Sequence, residues 1–341
     1  FPCGLPVQPQ NCLSPGLPCM KAKHRREPYE VTIGLPLKIG TRGSPLALAQ
    51  AKEVSQRLAA AHGELAGAGA IETHVIKTSG DKFTDRPLAD IGGKGLFTKE
   101  IEEALIGGAI DIAVHSMKDV PTWLPDGLQI ACILPREDAR DALIGDGLTG
   151  LAALHRGGRV GTASLRRRAQ LLHLRPDLEI AMLRGNVATR LRKVAGGEFD
   201  ATLLAVAGLK RLGCAEHIAA AIPPEEMLPA VAQGAIGIEC RADDGRGRDY
   251  LGALNDGESA LCVAAERAFL AVLDGSCRTP IAALAEMRAG GRLYLRALIA
   301  RPDGTVIHRA EREGAAADGS AMGEDAGAEL RATGGAGFFM D

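Results

Sequence analysis

The chain has 341 residues, 46% of them hydrophobic and 24% charged, the proportions of a folded protein with two or three domains. With 40 Lys and Arg against 42 Asp and Glu the net charge is −2, which excludes a generally basic nucleic-acid coat but not a local basic site. Aromatic residues at 3% argue against base-stacking platforms, and no apolar run approaches the ~20 residues of a membrane span.

Residues 1–36 hold seven prolines and no helical or strand period. They also lack a secretory apolar core and are expected to be a disordered or appended extension. From residue 37 the punctuation becomes regular. Leu37–Thr41 reads as a strand, and Ser44-Pro45, an N-cap with a first-turn proline, opens a helix to about His62. Ile71–Lys77 reads as a strand and Ser79–Gly95 as a long Gly-rich loop, the kind that often serves as a lid. A helix from Phe97 to about Leu105 and the strands 110–115 and 128–134 follow.

A second cycle begins near Ala139: strands 159–162, 178–183 and 201–207 alternate with helices 164–174, 186–194 and a short one ending at Gly213. The alternation predicts parallel sheets covered on both faces. Gly234–Cys240 is one more apolar strand, placed to return to the first sheet. A helix over about 259–273 precedes three strands, 280–287, 292–300 and 306–313, which read as an antiparallel meander with Asp303-Gly304 as a hairpin turn. A Gly/Ala-rich helix and tail close the chain. The expected architecture is two α/β domains plus a C-terminal α+β domain with a three-stranded antiparallel sheet.

None of the eight cysteines forms a Cys-x-x-Cys pair, and no Cys/His group has zinc-ligand spacing, so no metal is expected. A chain of this size needs no disulfides, and most cysteines read as small apolar fillers in a reducing compartment.

Basic residues concentrate between Arg156 and Arg211, with twelve against four acidic ones. Three turns repeat one device: a strand end, a polar cap and arginine. They are Gly40-Thr-Arg-Gly-Ser-Pro45, Thr162-Ala-Ser-Leu-Arg-Arg167 and Leu183-Arg-Gly-Asn-Val-Ala-Thr-Arg190. Each offers free backbone N–H groups, the positive end of a helix dipole and a guanidinium fork. A solvated basic face would explain any one of them. Three together point to a ligand with several carboxylates or phosphates, and neither Gly-x-x-x-x-Gly-Lys-Ser/Thr nor Gly-x-Gly-x-x-Gly is present to favour phosphate.

His115-Ser-Met-Lys-Asp-Val-Pro121 ends an apolar strand with Lys118-Asp119, which reads either as a surface ion pair or as acid/base residues at a catalytic strand end. His115 reads as a hydrogen-bonded core residue. In Gly275-Ser-Cys-Arg-Thr-Pro280 the small neighbours leave the Cys277 sulfur accessible and Arg278 favours the thiolate, although inert packing is the ordinary role of such a cysteine. No Cys-His-Asn set accompanies it.

These residues resemble the porphobilinogen deaminase family. The matching strings are Thr41-Arg-Gly-Ser-Pro-Leu-Ala47, Ile91-Gly-Gly-Lys-Gly-Leu-Phe97, Ala113-Val-His-Ser-Met-Lys-Asp-Val-Pro121, Arg136-Glu-Asp-Ala-Arg-Asp141, Gly161-Thr-Ala-Ser-Leu-Arg-Arg167, Leu183-Arg-Gly-Asn-Val-Ala-Thr-Arg190, Leu204-Ala-Val-Ala-Gly-Leu-Lys-Arg211, Gln233-Gly-Ala-Ile-Gly-Ile-Glu-Cys-Arg241 and Gly275-Ser-Cys277. They run co-linearly from about residue 37 to the C-terminus.

The resemblance implies two doubly wound, periplasmic-binding-protein-like domains, 37–137 with 234–254 on the substrate side and 138–233 on the arginine-rich side. A third domain, 255–341, would carry the cofactor loop. It implies an enzyme that joins four porphobilinogen molecules head to tail with release of ammonia, giving linear hydroxymethylbilane for tetrapyrrole and haem biosynthesis. The primer would be a dipyrromethane cofactor held by a thioether to Cys277. By the match, Lys118, Thr162, Ser164, Arg166, Arg167 and Arg190 would hold cofactor carboxylates. Arg42, Ser44, Arg184 and Arg211 would bind pyrroles, Lys94 and Phe97 would lie in the loop over the cleft, and Asp119 would be catalytic. No metal, nucleic acid or membrane is implied. A cytoplasmic monomer is expected, with hand-over of product to the next pathway enzyme.

Two positions depart from the pattern: Ala163 stands where many relatives have serine, and Asp90 where some carry lysine. A type II periplasmic-like binding protein for a polycarboxylate would share the two-lobed plan, but the third domain with Cys277 and the absence of a secretion signal count against it. An RNA-binding protein using the arginine cluster is disfavoured by the low aromatic content.

Overall fold

The computed structural model describes residues 36–82, 97–274, 279–335 and 337–339. The expected N-terminal extension, most of the 79–95 loop with Lys94 and Asp90, and Cys277 lie outside the described residues.

The first α/β unit opens with β1 (Leu37–Arg42) and α1 (Pro45–Ala61). Ser44 starts α1 as expected: its Oγ accepts from Ala47 N at 3.3 Å, and Pro45 occupies a first-turn position that needs no N–H donor. β2 (Ile71–Ile76), the single helical turn α2 (Ser79–Lys82), α3 (Lys99–Ile106), β3 (Ile112–Ser116) and β4 (Leu128–Ile133) follow. The second unit contains β5 (Asp141–Ile144), β6 (Arg159–Gly161), α4 (Leu165–Leu174), β7 (Glu179–Ala181), α5 (Val187–Ala195), β8 (Ala201–Ala205), α6 (Val206–Arg211) and β9 (Ala220–Ala221). Then come β10 (Ile236–Arg241), α7 (Gly245–Gly252), α8 (Gly257–Val272), β11 (Ile281–Arg288), β12 (Arg292–Ala300), β13 (Ile307–Ala315) and α9 (Gly319–Gly334).

The first sheet has the order β2-β1-β3-β10-β4 and the second β7-β6-β8-β5-β9. In each, four strands run one way and one is reversed: β10 runs antiparallel between β3 and β4, and β5 antiparallel between β8 and β9. The sheets are therefore mixed and not all-parallel as the alternation predicted. Both reversed strands belong to crossovers: residues 134–140 carry the chain from β4 into β5, and residues 222–235 carry it from β9 back into β10. Three local expectations also change. Residues 79–82 make a helical turn, 206–207 belong to α6, and β5 and β9 were not foreseen. Val206-Ala-Gly-Leu209 is buried throughout, and a short apolar run of that kind reads equally as strand or helix.

The third sheet, β11-β12-β13, is the expected antiparallel meander. One face packs against α8 and α9 around Phe269, Leu293, Leu295 and Leu330. The other face (Ala282, Leu284, Leu298, Ala300) packs with Ala169 of α4 and Leu228 of the second crossover. The α8–α9 contact is close because Gly323 faces α8: a Cβ there would come within 2.2 Å of the Ala265 carbonyl oxygen. The first core cluster also takes in Met117, Val120, Val231 and Ala232, so the third unit is packed directly on the base of the cleft.

Candidate active site

Three helix starts converge on the strand ends. Besides Ser44 before α1, Ser164 Oγ accepts from Arg167 N at 3.4 Å before α4, and Asn186 Oδ1 accepts from Thr189 N at 2.9 Å before α5. Thr162 Oγ1 accepts from Ser164 N at 3.1 Å. Each hydroxyl is thereby used as an acceptor, which leaves its proton to donate to an anion.

Arg166 and Arg167 are not solvated. Their side chains flank Asp141, which is 0% exposed. Arg166 Nη1 donates to Asp141 Oδ2 at 2.7 Å and to the Leu228 carbonyl at 2.7 Å. Arg167 donates to Asp141 Oδ1 from Nη2 at 2.8 Å and from Nε at 3.2 Å, and from Nη1 to the Leu203 carbonyl at 2.7 Å. Burial alone would raise the Asp141 pKa, but Arg166 and then Arg167 overcome it and hold the carboxylate well below its ordinary range. Burial pulls Arg166 down. Asp141 closes the quoted Arg136–Asp141 string, yet sequence reasoning gave it no role. Its arginine partners lie 25 and 26 residues away, and only the β5–β8 pairing brings it beneath α4.

Arg184 and Arg190 differ. Both are half-buried, and Arg184 Nη1 is a buried donor with no partner among the described residues. Arg190 donates from Nε to the Gly185 carbonyl at 2.9 Å. Its pKa is pulled down to about 10 by burial and by repulsion from Arg167 and Arg184, and no carboxylate among the described residues offsets them. Two crowded guanidiniums with no counter-anion among the described residues are what a site for a carboxylated ligand requires.

Across the cleft, β3 ends in the 3₁₀ turn Met117–Asp119. The ammonium of half-buried Lys118 is pulled down to about 8, first by loss of hydration; Asp119 raises it and Arg167 lowers it. Asp119 is exposed and lines an open cleft with Arg42, Ser44, Phe97 and Ser116. The Arg42 guanidinium lies over the Phe97 ring, 4.1 Å from its centroid. Behind them His115 Nε2 pairs with buried Glu239 Oε2 at 2.9 Å, the core role expected of it. Arg211 is placed elsewhere. It donates from Nε to Glu53 Oε2 of α1 at 3.2 Å and from Nη1 to the Gly234 carbonyl at 3.1 Å, in a separate groove beside the crossovers with Lys210 and Glu137.

The crossovers themselves are tied to the third unit by Glu266 of α8, which is 0% exposed. It accepts from Arg136 Nη1 at 2.5 Å and Nη2 at 3.1 Å, from Ala232 N at 2.6 Å and from Ala285 N at 2.8 Å.

The family model described as "Porphobilinogen deaminase, dipyromethane cofactor binding domain" matches residues 37–249. This chain belongs to the porphobilinogen deaminase family. A second model, "Porphobilinogen deaminase, C-terminal domain", matches residues 260–332. The chain is 59% identical over 304 residues to the porphobilinogen deaminase of Paracoccus denitrificans, covering 89% of this chain and 96% of the relative. It is 56% identical over 305 residues to the chloroplastic porphobilinogen deaminase of Oryza sativa, covering 89% of this chain and 85% of the relative. A solved ABC-transporter periplasmic substrate-binding protein from Coxiella burnetii aligns at 17% identity over 68% of this chain and 96% of that one, with a TM-score of 0.39, too low to bear on ligand or mechanism.

Family membership makes this an enzyme of porphyrin biosynthesis with a dipyrromethane cofactor, and the binding-protein alternative is not favoured. The residues fit that cofactor. Dipyrromethane carries several carboxylates, and Arg190, crowded by Arg167 and Arg184 with no carboxylate offsetting it among the described residues, is a cation in want of one.

Proposed function

We propose that the chain is a transferase that condenses four porphobilinogen molecules head to tail, releasing ammonia, and then frees linear hydroxymethylbilane by hydrolysis, water supplying its hydroxyl. The observation that carries this reading is the pairing of crowded cations that no described residue neutralises, Arg184 and Arg190, with an exposed carboxylate, Asp119, in a cleft. When bound through a thioether to Cys277, the dipyrromethane supplies a nucleophilic pyrrole carbon to which substrate is added. Lys118, Thr162, Ser164, Arg166, Arg167 and Arg190 hold its carboxylates. Arg166 and Arg167 do so as a unit pre-oriented from behind by Asp141.

Arg42, Ser44 and Arg184 take the acetate and propionate of incoming porphobilinogen, with Lys94 and Phe97 over the cleft. In the arrangement described, Arg211 is engaged by Glu53, so its part in binding pyrroles requires release of that pair. Asp119 faces the substrate. Loss of ammonia leaves a cation delocalised onto the substrate's pyrrole nitrogen; the carboxylate stabilises that charge and accepts the proton released when the new carbon–carbon bond restores aromaticity.

In this reading residues 37–137 and 234–254 form the substrate-side domain, 138–233 the anion-binding domain and 255–341 the cysteine-bearing domain, each built on one of the three sheets. A cytoplasmic monomer that passes its product to the next enzyme completes the proposal; light scattering checks the oligomeric state. The functional test is Cys277→Ala: folded protein with no pyrrole adduct in its intact mass and no ammonia release from porphobilinogen. An adduct mapped to Cys240 or Cys262 would overturn the assignment.

A further inference from the structure

Gln233 lies in the second crossover, is 0% exposed and has no part in the roles assigned above. Its Nε2 donates to Asp141 Oδ1 at 2.9 Å and to the Ala139 carbonyl at 2.8 Å. Its Oε1 accepts from Lys118 Nζ at 3.5 Å. One amide therefore touches the lysine at the end of β3, in the first sheet, and the carboxylate that orients Arg166 and Arg167, in the second.

The backbone gives it little freedom. Ala232 and Gly234 on either side have φ of +57° and +92°, and a Cβ on Gly234 would lie 2.3 Å from the Glu137 carbonyl oxygen. The Gln233 carbonyl accepts from Arg136 Nε at 2.9 Å, so the residue is also held by the guanidinium that Glu266 binds. Polarity completes the fit. An anion lies on one side and a cation on the other, and a neutral amide with one donating and one accepting arm satisfies both. A carboxylate here would repel Asp141, and a cation would repel Lys118.

We propose that Gln233 is a positioning residue for the cofactor: it joins Lys118 to the Asp141–Arg166–Arg167 cluster across the crossovers, so that cations from both sheets meet the same anion in one arrangement. The inference rests on the reading that these three cations hold the cofactor.

Titration of Lys118 separates this role from plain structural support. The groups that act on its ammonium are Asp119 on its own turn, Asp141 of β5, and Arg166 and Arg167 of α4. The full-length chain is prepared without cofactor as wild type, Gln233→Met and Gln233→Glu, with thermal unfolding to confirm folding. Competitive acetylation with peptide mapping reads the Lys118 midpoint. Intact mass after addition of porphobilinogen reads cofactor uptake across neutral to alkaline pH.

In Gln233→Met the ammonium loses its acceptor, and the midpoint should fall by about one pH unit, the lower end of a hydrogen bond to a charged group. Uptake should then fail at lower pH than in wild type. In Gln233→Glu an adjacent opposite charge should raise the midpoint by about 1–3 units. Uptake should be slower at neutral pH, because the cluster has gained a negative charge, and less sensitive to alkali. Unmoved Lys118 midpoints in folded Met and Glu variants overturn the proposal. Midpoints that move in opposite directions with unchanged uptake overturn it at a different point, by showing that Lys118 does not hold the cofactor.

Discussion

Asp141→Asn tests how the basic side of the cleft is built. The change removes one charge and keeps the shape. Counting charges alone, the site becomes more cationic and should bind a polycarboxylate better. The geometry argues the reverse. Asp141 accepts from both arginines and from Gln233, and the Arg166 and Arg167 side chains are only 6% and 7% exposed. Deprived of their counter-ion they cannot turn to water, and removing one partner of a buried ion pair costs about 3–5 kcal/mol. That is a large part of the ~5–15 kcal/mol that holds a domain folded.

Urea unfolding at neutral pH should show that loss, and intact mass should show reduced cofactor content. The pH dependence follows from the depressed pKa. The carboxylate's contribution is fully present above its unfolded value of about 3.9 and is lost as pH falls from there toward its lower native value. Wild type should therefore lose stability in acid more steeply than the Asn variant. An Asn variant within about 1 kcal/mol of wild type and fully loaded with cofactor would refute the idea that Asp141 organises the arginines.

Asp119→Asn, in protein confirmed by mass to carry the cofactor, should lose about 10²–10⁴-fold in single-turnover rate, and Asp119→Glu should retain more activity than Asn because it keeps the charge. A loaded Asn variant within tenfold of wild type would make Asp119 a structural residue. Arg166→Leu should give mainly cofactor-free and destabilised protein, since it also strips a partner from Asp141. Arg184→Leu, with no ion-pair partner to abandon, should stay stable and loaded but elongate poorly; equal cofactor content and equal elongation in the two variants would dissolve the distinction.

Local chemistry was legible in the sequence where a cap and its helix are neighbours. Ser44, Ser164 and Asn186 announced α1, α4 and α5 because each bonds to a backbone N–H three residues on. The meander of β11–β13 was legible because its turns are local. What escaped was whatever depends on distant pairing. The return of β10 to the first sheet was expected, but its reversed direction against β3 was not, nor was Glu239 as the partner of His115, each set by a pairing across more than a hundred residues. Arg211 stood in a basic run with nothing to mark Glu53, 158 residues away, as its partner. Asp141 and Gln233 were visible in quoted strings but silent, because neither has a local signature. A buried carboxylate under two arginines and a buried amide between two charges are recognisable only once the crossovers have brought them together.

Those crossovers also bear on the order in which the chain can fold. The second sheet is assembled from one continuous stretch, β5 to β9, whereas the first waits for β10 to enter between β3 and β4. A ribosome that has delivered residue 221 has released every strand of the second sheet, while β3 and β4 still present edges with no partner between them. Pulse-labelling hydrogen exchange during refolding should find β6 and β8 amides protected before those of β4; the opposite order would show that sequence continuity does not set the schedule. The strand exchange that lets one amide touch both halves of the site thus leaves the substrate side of the cleft as the late-closing half, and the half most exposed to misassociation while it waits.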